Sequence, residues 1–237
     1  MVDQVHSPVE KIFPDAEALT RALAEEISSR LSAAVAERGV ALLAVSGGRS
    51  PVPLFQLLSQ ADLPWSAITI TLVDERWVPV NDEASNERLV RNHLMVERAA
   101  AARFVPMKYS TATPEEGAAT CHAALARLSL PFDVVLLGMG EDGHTASLFP
   151  HAHGLTEALD TTRQALCVAI QPPTAPHPRM SLTLRALQSS RWLVLPLQGE
   201  TKLRTYRKAL EPGPVEEMPV RAILRQRVVP IELWISS

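Results

Sequence analysis

The sequence predicts an α/β fold, an open and mostly parallel sheet with helices on both faces. Short runs rich in Val, Ile and Leu recur along the chain, and most of the stretches between them carry apolar residues three and four apart. Strand, helix and strand in alternation imply parallel strands buried under helices. The 237 residues, 46% of them hydrophobic, suffice for one sizeable core, so a single domain over 1–237 is expected.

Residues 15–39, "DAEALTRALAEEISSRLSAAVAERG", space Ala, Leu and Ile as a helix does, and Gly39 supplies the C-cap. The first buried strand follows at 41–45. "SGGRSP" comes next: Gly47 and Gly48 permit a tight turn, Ser50 suits an N-cap and Pro51 the first helical position. A strand, a glycine turn and a helix start make a ready anion site, because N–H groups and the helix macrodipole point at whatever sits there. No G-K-[ST] follows, so this is not a Walker A loop.

The second strand, 68–73, runs out into Asp74, Glu75 and Arg76. Three charges at the end of a buried strand need partners. Trp77 beside them favours packing over water, so the triplet is expected to line a cleft, with the planar fork of Arg76 suited to phosphate oxygens. "EASNERLVRNHL" then reads as a helix with Ser85 and Asn86 near its start and His93 near its end.

A third strand, 133–137, leads into "GMGEDGHTASLFP", which contains G-x-G-x-x-G. A dinucleotide fingerprint needs those glycines to open a long helix. Here Pro150 arrives seven residues after Gly143, and Asp160, though at a plausible distance for a ribose contact, is a single acidic residue of the kind chance supplies. The glycines are read instead as a sharp turn at a strand end that leaves Asp142 and His144 facing the cleft, where a histidine can take a proton from water. Further strands are expected at 166–170, 192–197 and 230–235. The Pro-rich stretches 171–181 and 212–219 are read as surface loops.

Charge and composition exclude several functions. A formal charge of -3 and a pI near 6.2 provide no global field for nucleic acid or an anionic membrane. No apolar run reaches the roughly 20 residues that span a bilayer, and the first twenty residues lack the order of a signal peptide. Cys121 and Cys167 form no C-x-x-C, and are expected to be buried, reduced thiols of a cytoplasmic protein. His144, His151 and His153 match no zinc spacing, and G-x-S-x-G is missing, so neither a metal nor a serine nucleophile is expected.

Taken together, "SGGRSP", "VDERWVP" followed by Ser85 and Asn86, "GMGEDGHTASLFP", "PRMSLT" at 178–183 and "GETKLRTYRKAL" at 199–210 resemble the ordered motifs of 6-phosphogluconolactonases. The resemblance runs from about residue 10 to the C-terminus. It implies a Rossmann-like open sheet (NagB/RpiA/CoA transferase-like), shared with glucosamine-6-phosphate deaminases, and hydrolysis of 6-phosphoglucono-δ-lactone without a cofactor. By this resemblance the phosphate is expected on the Ser46, Gly47 and Gly48 loop with Arg76, Arg179 and Lys202. His144 is the expected general base. Asp74 is the first choice to support its imidazole, with Asp142 second and otherwise counted among the substrate-binding residues.

The expected partner is thus a small sugar-phosphate lactone, bound by a monomer or small homo-oligomer. Where related proteins often read S-G-G-S-T-P, this chain has Arg49 and Ser50, and Arg49 has no assigned role. A deaminase acting on an amino sugar phosphate is the alternative enzyme, but "TASLFP" and "DERW" favour the lactonase. A non-catalytic sugar-phosphate sensor would keep the cations and lose the base, whereas His144 is present.

Overall fold

The structure, a computed structural model, describes residues 8–236. The signal-peptide reading rests partly on residues 1–7, which lie outside the described residues. In chain order the elements are β1 (Val9–Phe13), α1 (Ala16–Arg38), β2 (Ala41–Val45), α2 (Val52–Gln60), β3 (Ile68–Leu72), β4 (Asp74–Arg76), α3 (Asn86–His93), β5 (Arg103–Val105) and α4 (Pro114–Ala126). The second half adds β6 (Val134–Leu136), α5 (Leu155–Leu159), β7 (Cys167–Ile170), β8 (Arg179–Leu182), α6 (Leu184–Gln188), β9 (Leu193–Gln198), α7 (Glu200–Leu210), α8 (Val220–Arg225) and β10 (Ile231–Ser236).

Seven strands form one sheet in the order β1-β10-β9-β6-β2-β3-β5, and every neighbouring pair is parallel. All five residues of β2 are buried, which requires cover on both faces and explains its unbroken apolar run. The long first helix forms as its caps dictate: Asp15 Oδ1 accepts from the Ala18 N–H at 2.8 Å, and Gly39 ends the helix at φ 77°. Its Leu19, Leu23, Ile27 and Leu31 are fully buried in the same core as Phe55, Phe132 and Trp192.

The expected strand at 166–170 forms, but outside this sheet. As β7 it pairs antiparallel with β8, which pairs antiparallel with β4, giving a separate three-stranded sheet. The reason is connection length: residues 171–178 are too few for the helical crossover that a parallel neighbour demands, and enough for an antiparallel return. The Pro-rich stretch is therefore a loop only as far as Pro178.

From β2 the chain moves through α2 to β3 on one side, while β6 lies on the other side of β2. The carboxyl ends of β2 and β6 thus flank a topological switch point, where open α/β sheets bind ligands. There the Ser46 N–H donates to the Leu136 carbonyl at 3.0 Å, drawing the two glycine loops together.

Candidate active site

A cavity of about 270 Å³ opens at this switch point. Ser46, Gly47 and Gly48 border it from β2, Asp74 and Arg76 from β4, His144 from the second glycine loop, Arg179 from β8 and Lys202 from α7. Segments far apart in the sequence therefore meet in one place. Arg49 is exposed and does not border the cavity.

In the first loop Gly48 has φ 90°, in the left-handed region that favours glycine. Ser50 does not cap the helix as expected: α2 starts at Val52, Pro51 occupies the cap position, and no side chain caps it. The helix N-terminus still follows the glycine turn directly.

β4 alternates, as a strand must. Asp74 and Arg76 border the cavity while Glu75 points away and is 1% exposed. The Glu75 carboxylate accepts the N–H groups of Arg76, Asn86 and Glu87 at 2.7, 2.8 and 2.7 Å and the Ser85 hydroxyl at 3.1 Å, so it anchors β4 to the start of α3. Ser85 itself caps that helix through the Arg88 N–H at 3.2 Å.

Across the β4–β8 ladder Arg76 stands directly opposite Arg179. Like charges in that relation repel. Arg179 is 6% exposed, and burial holds its pKa below the ordinary arginine value; Asp74 pulls it back and Arg76 pushes it further down. The Arg179 fork is fixed by its own loop, with Nε donating to the His177 carbonyl at 3.3 Å and Nη2 to the Pro176 carbonyl at 3.2 Å, while Nη1 lies 3.8 Å from Asp74 Oδ2. Arg76 donates Nη1 to the Ala84 carbonyl at 2.6 Å, but its buried Nε has no hydrogen-bond partner. A buried guanidinium faces a half-buried one whose inner Nε–H is an unused donor, an arrangement whose chemistry suits an anion.

The second glycine loop presents His144, the expected base, to the cavity. His144 Nδ1 lies 2.6 Å from Asp142 Oδ1, which also accepts the His144 main-chain N–H at 3.1 Å. With Nδ1 carrying the shared proton, Nε2 holds the lone pair. Burial raises the Asp142 carboxyl, but the hydrogen bond to His144 and its charge outweigh that and hold it below the usual aspartate value. The His144 ring stacks on Phe149, centroids 4.1 Å apart, and the Arg179 guanidinium lies 5.3 Å from the same ring. One aromatic side chain thus touches both the imidazole and the cation.

The carboxylate choice needs correction. Asp74 does not support His144: its Oδ2 accepts the buried Ser147 hydroxyl at 2.6 Å and faces Arg179. Asp142, expected among the substrate-binding residues, is the imidazole's partner and does not border the cavity. Proximity decides it, since Asp142 and His144 share one turn. No long helix follows Gly138–Gly143, as the reading against a dinucleotide site requires. Lys202 reaches the cavity with its Nζ donating to the Met139 carbonyl. Asn86, noted in the sequence only for its place near a helix start, is 2% exposed and borders the cavity too. Among the described residues no group of three or more His, Cys, Asp or Glu is arranged to hold a metal ion, and no helix is long and apolar enough to cross a membrane.

The chain is similar to known sequences and to solved structures. A sequence model of the family "Glucosamine-6-phosphate isomerases/6-phosphogluconolactonase" matches residues 14–231. A 6-phosphogluconolactonase of Rhizobium meliloti is 44% identical over 94% of this chain and 96% of its own length. One of Pseudomonas aeruginosa is 45% identical over 91% and 90%. The crystal structure of a 6-phosphogluconolactonase from Shewanella baltica superposes with a TM-score of 0.95 at 49% identity, covering 98% of this chain and 99% of that one. The chain belongs to the glucosamine-6-phosphate isomerase/6-phosphogluconolactonase family.

Proposed function

We propose that this chain hydrolyses 6-phospho-D-glucono-1,5-lactone to 6-phosphogluconate, the oxidative pentose phosphate pathway's lactonase step. The observation that carries the reading is the meeting, around Phe149, of a His144–Asp142 pair and Arg179, with Arg76 and its unpaired Nε opposite Arg179 across the ladder. Substrate phosphate, with nearly two negative charges, answers the arginines. Each hydrogen bond to a charged group contributes about 1.5 to 3 kcal/mol, so Arg76, Arg179, Lys202 and the glycine loop supply most of the affinity away from the reacting carbonyl.

At the other end, His144 Nε2 takes a proton from water as its oxygen bonds to the lactone carbonyl carbon. Asp142 stabilises the imidazolium and fixes its tautomer. Collapse of the tetrahedral intermediate breaks the bond to the ring oxygen, which receives the proton from Nε2. The acid formed loses its own proton to solvent. Asp74, held by Ser147, keeps Arg179 in place as its counter-charge. The residues themselves provide base, acid and anion site, and no cofactor enters the scheme.

The substrate is a dianion that membranes retain, and Cys121 and Cys167 are free and buried, as a reducing compartment keeps them. The reading therefore places the whole chain, as one catalytic domain, in the cytoplasm. The test is His144→Ala against Arg179→Ala, with the spontaneous hydrolysis rate subtracted. His144→Ala is expected to lose kcat by about 10²- to 10⁴-fold while still binding product, and Arg179→Ala to raise KM. Near-normal turnover in His144→Ala would end the base assignment. Ammonia release from glucosamine 6-phosphate would establish the deaminase alternative.

A further inference from the structure

β2 and β3 run side by side as far as Val45 and Val73, where the Val73 N–H donates to the Val45 carbonyl at 2.9 Å. Beyond that point the chains part. One turns at Ser46–Gly48, and the other becomes β4 and joins the small sheet. Among the described residues no backbone hydrogen bond links 46–48 to 74–76. Yet a phosphate held by both segments needs their separation fixed to a fraction of an ångström.

Asn86 fills that gap. Its Nδ2 donates to the Asp74 carbonyl at 2.9 Å. Its side-chain carbonyl rests against Gly47, where an added Cβ would lie 1.8 Å from Oδ1 and 2.2 Å from Cγ. Asn86 is itself held, because its main-chain N–H donates to buried Glu75 at 2.8 Å. Gly47, unlike Gly48, has no positive φ, so the turn does not demand glycine there; the Asn86 side chain does.

We propose that Asn86 is a positioning residue of the phosphate site, a strut that sets the distance between the Gly47 turn and the Arg76 strand. The inference rests on the reading that these two segments hold the phosphate. The residue type follows from the contacts. Asp at this position has no donor for the Asp74 carbonyl and brings a negative charge toward a bound dianion. Gln adds a methylene where Gly47 already fills the space, and Ala leaves the two segments untied.

The experiment compares wild type, Asn86→Ala, Asn86→Ser, Gly47→Ala and the Gly47→Ala/Asn86→Ala double variant. The readouts are lactone turnover, competitive inhibition by inorganic phosphate, and thermal midpoint. Misplacement by an ångström costs about 10²-fold, so Asn86→Ala is expected to raise KM and the phosphate inhibition constant together by about 10- to 100-fold, with kcat changed far less because His144 rides on another loop. Asn86→Ser, which keeps a hydroxyl donor and leaves more of the packing intact, falls between the two. Gly47→Ala cripples binding in the wild-type background and adds little in Asn86→Ala, a strongly non-additive pair.

Independent, multiplying losses overturn the strut, as does an unchanged phosphate inhibition constant in both Asn86 variants, or a fall in kcat at constant KM. Arg76→Ala and Arg179→Ala separate the two levels of inference. If they leave phosphate inhibition untouched, the phosphate assignment fails. If they weaken it and the Asn86 variants do not, only the strut fails.

Discussion

Gly140 has no room for a side chain: a Cβ there would lie 2.1 Å from His144 Nδ1 and 2.5 Å from Asp142 Oδ1. The glycine that looked like part of a nucleotide fingerprint is the floor beneath the His144–Asp142 pair. Gly140→Ala is therefore expected to lower kcat by about 10²-fold at nearly unchanged KM and thermal midpoint, read by steady-state kinetics and a melt. Asp142→Asn keeps the shape and loses the charge that stabilises an imidazolium, and kcat is expected to fall by about 10²- to 10⁴-fold. The Asp142 carboxyl is held below its ordinary value. Its contribution to stability is thus complete above the unfolded-state value and is lost as pH falls through the folded one, an acid-side loss that Asp142→Asn should lack. His144 was legible because a glycine turn at a strand end exposes the side chains just beyond it. Its partner was not, because sequence offers two carboxylates, and only the folded turn shows Asp142 bonding both the ring and the backbone two residues on.

β4 and α3 work as one element, joined by Glu75. Burial pushes the Glu75 carboxyl up to about 7, against the pull of three backbone N–H groups. For a carboxyl whose folded pKa lies above its unfolded one, the folded chain holds a proton that the unfolded chain has released. Its stabilisation is complete below the unfolded value and is lost as pH rises through the folded one. The loss across that window, from the ordinary glutamate range to about 7, is of the order of 3 kcal/mol. Glu75→Gln cannot titrate. The difference between the unfolding free energies of wild type and Glu75→Gln, from urea melts across that window, should narrow in favour of the variant as pH rises, and a constant difference would refute the shifted carboxyl. The Gly39 cap of α1 and the buried strands β2, β3, β6, β9 and β10 were legible, since capping and apolar runs are local signals. The short strands β4, β5 and β8 and the edge strand β1 were not. So short a strand has no period to detect; β6, equally short, showed as part of an apolar run, whereas β4 was visible only as charges that needed partners.

At the scale of the whole molecule, a protein of formal charge -3 holds a cationic site, and the reason is the second sheet, which no local pattern announces. Pairing β4 with β8 sets Arg76 opposite Arg179 across a ladder, and sequence distance hides a juxtaposition that only long-range pairing creates. The fold bears the repulsion of that pair, and in the proposed reading a bound dianion relieves it. Any ligand that binds only the native state stabilises it by mass action, by about 2.7 kcal/mol at 100 times its dissociation constant, which for a chain of this size is a rise in thermal midpoint of about 5 to 10 °C. Such a rise is expected with 6-phosphogluconate and not with gluconate, which lacks the phosphate. Arg76→Ala should abolish most of it. Because that substitution also relieves the like-charge contact and deletes a buried Nε with no partner, the unliganded variant should melt no lower than wild type, although a half-buried side chain has been truncated. A variant that melts well below wild type without ligand, yet keeps the full shift with 6-phosphogluconate, would mean that Arg76 serves packing and that the anion is held elsewhere.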